Sequence, residues 1–149
     1  MTAEEQRALG VELFNRAWTL MELAERTPDE DAEMLDCAHA SAYHWAQVGT
    51  AANRSRSEWQ CSRVYVVLGW VEPALYYAKR CHGLVQAHPE EMKDWDLPAA
   101  YEALARAHMV AGDVVETRKW VELGRAATAN ISDEDDRAVI EADFATIRT

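Results

Sequence analysis

The sequence predicts an all-α protein made of antiparallel helix pairs. Apolar residues recur at three- and four-residue spacing almost throughout, as Leu9, Leu13 and Ala17 do near the start, and this spacing places them on one face of a helix. Val, Ile and Thr do not form the bounded, alternating runs that strands require. Because most predicted connections are short, consecutive helices are expected to be antiparallel neighbours.

Each predicted helix begins at a local signal. Thr2 with Glu5, and Thr27 with Glu30, are capping boxes, in which a hydroxyl and a carboxylate three residues apart bind each other's backbone amides. Five further starts are marked by an N-cap residue or a first-turn proline, at Ser55, Pro73, Pro98, Asp113 and Ser132. The seven predicted helices are residues 4–25, 29–47, 54–69, 73–87, 97–111, 114–128 and 133–147.

The composition indicates one globular domain, residues 1–149, with 49% hydrophobic residues and only six glycines and four prolines. The formal net charge of -11 opposes attraction to nucleic acid and to anionic membrane surfaces. No apolar stretch approaches the ~18 residues that a membrane span needs. Three single cysteines, without a disulfide or zinc pattern, and the absence of a signal-peptide pattern favour a cytoplasmic protein.

Two stretches of the chain match at a spacing of 43 residues. RVYVVLGWV at 63–71 aligns with RAHMVAGDV at 106–114, so that Gly69 aligns with Gly112. Each glycine is expected to supply the left-handed residue that ends one helix, directly before the next helix begins. A helix, a glycine corner and a second helix, repeated at one spacing, are the pattern of a helical-hairpin repeat.

These residues resemble the tetratricopeptide-repeat superfamily, whose hairpins carry an aromatic residue, a glycine four residues later and small residues in the second helix. The matching positions are Tyr65, Gly69, Ala74 and Cys81, followed by His108, Gly112, Thr117 and Gly124 in the second copy. The spacing exceeds the roughly 34 residues typical of the family. The resemblance implies a right-handed array of hairpins at about 4–48, 54–87 and 97–128, with a capping helix at 133–147.

The resemblance also implies a binding groove lined by the first helix of each hairpin. Trp59 and Arg63 lie four residues apart on one such helix, and Glu102 and Arg106 are their equivalents on the next. Two arginines on neighbouring helices could clamp a carboxylate, so the expected partner is a protein or peptide with an acidic segment or a C-terminal carboxylate. The alternative is an internal ion pair, such as Arg63 with Glu102.

A second group of residues offers an alternative, enzymatic function. Asp36, His39 and Tyr43 share one face of the second helix, whereas His44 lies about 140° around it from His39. Together they could serve a small-molecule or metal-dependent enzyme. An acidic residue three before a histidine is half of a di-metal motif, and the sequence has no second copy. We therefore predict no metal and no cofactor.

The sequence thus favours a non-catalytic module that binds a protein or peptide. It contains no phosphate-binding glycine loop, no serine elbow and no H-E-x-x-H pattern. A homo-oligomer remains an open alternative, in which a neighbouring copy, or the chain's own C-terminal helix, would fill the groove.

Overall fold

The computed structural model describes all residues 1–149 and contains seven α-helices and no strand. The all-α prediction is confirmed. A short 3-10 helix, Pro89–Glu91, lies between the fourth and fifth helices, and no helix combines the length and apolar character needed to cross a membrane. The helices are α1 (Ala3–Met21), α2 (Pro28–Val48), α3 (Ala51–Leu68), α4 (Val71–Ala87), α5 (Asp96–Val110), α6 (Val114–Thr128) and α7 (Glu134–Ala145).

The helices form three successive hairpins and a terminal helix. α1 packs on α2, α3 on α4 and α5 on α6, and the second helices begin at Pro28, Val71 and Val114, which are 43 residues apart. The first helices also contact one another in series, α1 with α3 and α3 with α5. α7 packs against both α5 and α6 and ends the array.

Both capping boxes predicted at the helix starts are confirmed. The Glu5 amide donates to Thr2 Oγ1 (3.1 Å), and the Thr2 amide donates to Glu5 Oε2 (2.7 Å). Thr27 and Glu30 make the same reciprocal pair at the start of α2. Each pair satisfies backbone donors that have no partner inside the helix.

Most helix boundaries agree with the prediction to within two residues, and three are set by side chains that the sequence analysis did not identify. α3 starts at a Thr50 cap, while Ser55 is buried inside the helix and donates to the Cys81 carbonyl. α7 is capped by Asp133, because Ser132 is bound to a carboxylate in the connection before α5. α1 ends at Met21 rather than near residue 25, because the Arg26 guanidinium donates to carbonyls at its C-terminal end.

The two predicted glycine corners are confirmed. Gly69 and Gly112 are the only residues with positive φ, at 75° and 76°. At the first corner the Trp70 amide donates to the Tyr65 carbonyl (2.9 Å) and the Gly69 amide to the Val66 carbonyl (3.0 Å). These two hydrogen bonds satisfy the last carbonyls of the helix. They require a residue in the left-handed conformation, which glycine adopts without a steric penalty.

Small residues set the distance between helices. Ala38, Cys81 and Gly124 are buried in α2, α4 and α6 at the same spacing of 43 residues. The last is the tightest, because a Cβ atom on Gly124 would overlap the ring of Phe144 on α7. That ring is buried in a cluster with Ile131, Ile140 and Ile147, and therefore has little room to move.

We expect Gly124→Ala to destabilise the protein by about 1–3 kcal/mol, because overpacking at a confined ring outweighs the gain in helix propensity. Gly83→Ala is the matched control, because Gly83 also lies within a helix but a Cβ there would meet nothing within 4 Å. The control should be stabilised by about 0.5–1 kcal/mol. Urea unfolding measures both changes, and equal effects of the two substitutions would contradict this packing.

Candidate binding groove

A groove of about 500 Å³ lies where α1, α3, α5 and α7 meet. Its lining is largely apolar. The apolar side chains are Phe14, Trp18, Trp59, Cys81, Trp95, Ala99, Val139 and Ile140. α1 and α3 contribute aromatic side chains, a further one, Trp95, directly precedes α5, and α7 contributes the aliphatic wall. We name this cavity the α1–α7 groove.

Two tryptophans form one side of the groove. The ring centroids of Trp18 and Trp59 lie 5.7 Å apart at an angle of 37°. Trp59, which the sequence predicted as a binding residue, thus lines the groove. Its indole Nε1 is buried and has no hydrogen-bond partner. Trp18 was not singled out from the sequence, and grouping the aromatic residues of the first helices would have identified it.

The only cationic side chain in the lining is already paired. Arg56 binds Asp96 through two hydrogen bonds, Nε to Oδ1 (3.0 Å) and Nη2 to Oδ2 (2.9 Å). The guanidinium carbon also lies 4.2 Å from the centroid of the Trp95 ring. Asp96 is only 2% exposed and accepts the Lys93 amide as well. This partly buried ion pair fixes the start of α5 against α3.

The predicted arginine clamp binds the protein itself. Arg63 Nη2 donates to Glu102 Oε1 (3.2 Å) and lies 3.6 Å from Asp143 Oδ1. Arg106 donates to Glu102, to the Asp143 carbonyl (2.8 Å) and to the Thr146 hydroxyl (2.6 Å). The structure therefore contains the internal Arg63–Glu102 pair that the sequence left as an alternative.

The four residues of the predicted clamp do lie together. Trp59, Arg63, Glu102 and Arg106 surround one crevice between α3 and α5, but this crevice does not admit a water-sized molecule. Neither arginine lines the α1–α7 groove. In this position the two guanidinium groups hold the C-terminal end of α7, where exposed carbonyls attract cations.

Asp136 and Asp143 are the two carboxylates that α7 contributes to the groove. Asp136 is exposed. Burial raises the pKa of Asp143, as does the negative charge of Glu102, while Arg63 and Arg106 act in the opposite direction. With the Arg56–Asp96 pair neutral and Asp143 paired with Arg63, Asp136 supplies the uncompensated negative charge of the groove.

The alternative enzymatic residues do not converge. His39 shares a hydrogen bond of 2.8 Å with the Tyr65 hydroxyl on α3, whereas His44 bonds to the Gln6 side chain on α1. Asp36 is exposed, and Tyr43 is 64% exposed. None of the four predicted residues lines the α1–α7 groove.

His39 instead belongs to an aromatic seam between hairpins. Its ring centroid lies 5.3 Å from that of Tyr77 on α4. The contact recurs 43 residues later, where His82 lies 5.5 Å from Trp120 on α6. Burial lowers the pKa of both histidines, so the rings stay neutral as packing groups.

The cysteines and the surface carboxylates add no reactive centre to the groove. Burial raises the pKa of the Cys61 and Cys81 thiols to about 12, which keeps both protonated at neutral pH. One cluster has the side chains of a metal site: His88, Glu90 and Glu91 on the 3-10 helix. It lies outside the groove lining and is largely exposed.

Comparison with known proteins gives no relative from which a function could be transferred. No protein-family model matches the chain, and neither curated proteins nor solved structures show significant similarity to it. What the groove binds must therefore be inferred from its shape, its aromatic lining and its charge.

We expect Arg106→Met to destabilise the protein by about 3 kcal/mol or more, because Glu102 would remain buried with one partner lost. The matched control is Arg16→Met, which removes an equally close pair with Glu33 (2.7 Å) on the surface. There we expect little change, because water replaces the lost partner. Chemical unfolding measures both, and equal losses would show that burial does not determine the strength of the Arg106 contacts.

The free energy of unfolding should fall as the pH drops below 6.5, the ordinary pKa of histidine. Between that value and the lowered pKa of His82, the unfolded chain takes up a proton that the folded protein does not. His82→Phe keeps a ring against Tyr101 and Trp120 but removes this proton uptake. Its stability should therefore depend less on pH in this window, as urea titrations at several pH values would show. An unchanged slope would refute the assignment.

Proposed function

We propose that this chain is a non-catalytic module that binds a peptide segment of a partner protein in the α1–α7 groove. The observation that carries the proposal is the groove's lining: four aromatic and two branched aliphatic side chains, together with Ala99 and Cys81, around a surface cavity of about 500 Å³. A cavity of this size and apolar character is typical of ligand-binding sites. Exposed aromatic surface is also enriched where proteins contact their partners.

The arrangement of the helices supports a peptide-binding array of the tetratricopeptide type. In such arrays the first helices of the hairpins line the groove. Here α1, α3 and α5 contact one another in series and supply most of the groove lining. The repeated glycine corners and the 43-residue spacing of the second helices agree with this proposal.

The continuation of the groove into a neighbouring cleft favours a peptide over a compact metabolite. This second, smaller cleft of about 150 Å³ lies between α1, α2 and α3. The two clefts share Phe14 and Arg56, so one binding surface runs past both residues. An extended chain could place successive side chains in the two clefts.

Two alternatives receive less support. The enzymatic alternative centres on Asp36, His39 and His44. His39 contacts α3, His44 contacts α1 and Asp36 is exposed, so the three side chains do not share a site. α7 forms one wall of the groove and leaves about 500 Å³ open beside it, so the chain's own last helix does not fill the cavity. We expect the module to act in the cytoplasm, where its three free thiols would stay reduced.

Selection from a phage-displayed library of random peptides tests the proposal. Enriched peptides are synthesised, and their binding is followed by the NMR signals of the tryptophan indole N–H groups. The signals of Trp18, Trp59 and Trp95 should shift on binding, because these rings line the groove. Shifts confined to Trp70 and Trp120, which lie outside it, would contradict the proposal.

We expect Trp18→Ala to weaken the selected peptides at least about tenfold, because buried tryptophans dominate many interfaces. Trp70→Ala is the matched control: it removes the same side chain at a corner where 51% of the residue is exposed. Both variants must first show the helical content and thermal unfolding of a folded protein. Equal affinities for the two variants would place the binding site outside the groove.

A further inference from the structure

The α1–α7 groove has a net negative lining. Its charged side chains are one arginine and three aspartates. Arg56 and Asp96 neutralise each other through two hydrogen bonds. Asp143 is paired with Arg63 (3.6 Å), so Asp136 is the carboxylate of the lining that no cationic side chain balances.

Two aspartates of α7, one unpaired and one paired with Arg63, flank an apolar strip of that helix. Asp136 and Asp143 are seven residues apart, two helical turns, and therefore lie on the same side of α7 about 10 Å from each other. Ile140 lies between them and also lines the groove. Asp143 lies 3.6 Å from Arg63, whose closer partner is Glu102 at 3.2 Å, whereas Asp136 forms no ion pair within the chain.

The aromatic side of the groove also favours a positively charged ligand. Two of its three tryptophans already carry a guanidinium from the chain itself: Arg56 lies 4.2 Å from the centroid of Trp95, and Arg63 lies 5.0 Å from that of Trp59. The face of an aromatic ring attracts cations. Trp18 has no such partner within the chain.

An acidic ligand would find no free cationic side chain in the groove. The acidic or C-terminal carboxylate partner expected from the sequence needs free guanidinium groups on Arg63 and Arg106. Both are bonded internally to Glu102 and to the end of α7. A carboxylate entering the groove would instead approach the unpaired carboxylate of Asp136, and this like-charge contact is unfavourable.

We infer that the peptide bound in the α1–α7 groove is basic, with a lysine or arginine side chain between Trp18 and the carboxylate of Asp136. The inference rests on the proposed function and adds the chemistry of the partner. An apolar residue beside the cation would contact Ile140 and Val139 on the aliphatic wall. Charge complementarity of this kind selects the partner and speeds its association.

The test uses the same random-peptide library and two charge variants of the whole chain. Peptides selected on the unmodified protein should be enriched in lysine and arginine. Asp136→Asn should weaken a selected peptide about two- to fivefold, the effect of one partly exposed ion pair. Asp135→Asn is the matched control, because it removes the same charge from the neighbouring, exposed position of α7 outside the groove.

The control separates a specific contact from the general attraction of basic peptides to an acidic protein. A loss with Asp136→Asn, and none with Asp135→Asn, supports the inference. Equal losses in both variants, or selected peptides that are neutral or acidic, overturn it and leave the proposed function intact. If Trp18→Ala binds the selected peptides as tightly as the unmodified protein does, the proposed function is overturned as well.

A second copy of this chain is the competing occupant of the groove. Sedimentation of the unmodified protein and of Trp18→Ala, without peptide, distinguishes it. The inference requires both proteins to sediment as the same species. A dimer that Trp18→Ala dissociates would show that a neighbouring copy covers the groove, and would overturn the assignment of a basic peptide.

Discussion

The carboxylate of Glu102 lies on α5 with 1% of its residue surface exposed, and the position of three helices depends on how that charge is balanced. Removing a carboxylate from water costs several kcal/mol, so it is tolerated only where cations and hydrogen bonds replace the water. Arg63 reaches it from α3 and Arg106 from one turn further along α5. Because the same two arginines also bind Asp143 on α7, the buried charge joins α3, α5 and α7.

This connection explains why a groove exists beside α7. Arg106 satisfies carbonyl and hydroxyl groups at the C-terminal end of the helix, and Phe144 packs against Gly124 on α6. With its end and one face fixed in this way, α7 covers the apolar end of the array at Ile131 and Ile147. Its other side, with Asp136 and Val139, is left facing α1 across the groove. The helix is thus both the cap of the core and one wall of the candidate site.

The sequence predicts the fold better than the site, because the two depend on interactions of different range. The corners at Gly69 and Gly112 and the caps at Thr2 and Thr27 are decided within five residues, and all four are confirmed. The role of Arg63 and Arg106 depends on Asp143, which is distant in sequence and belongs to another helix. Helical spacing could place the arginines together, but it could not determine whether a ligand or α7 would receive their hydrogen bonds.

The internal use of the arginines also determines what the groove can recognise. Arg56, the only cation in the groove lining, is bonded to Asp96, which is 2% exposed. If Arg56 turned to a ligand, the buried carboxylate of Asp96 would be left unpaired, which is costly. Asp136, by contrast, is exposed. It can exchange water for the hydrogen-bond donors of a ligand at little cost. The chain itself covers the rings of Trp95 and Trp59 with guanidinium groups. Trp18, next to Trp59, is the remaining ring on which a partner's cation could lie, so the contacts that stabilise the fold also favour a basic ligand.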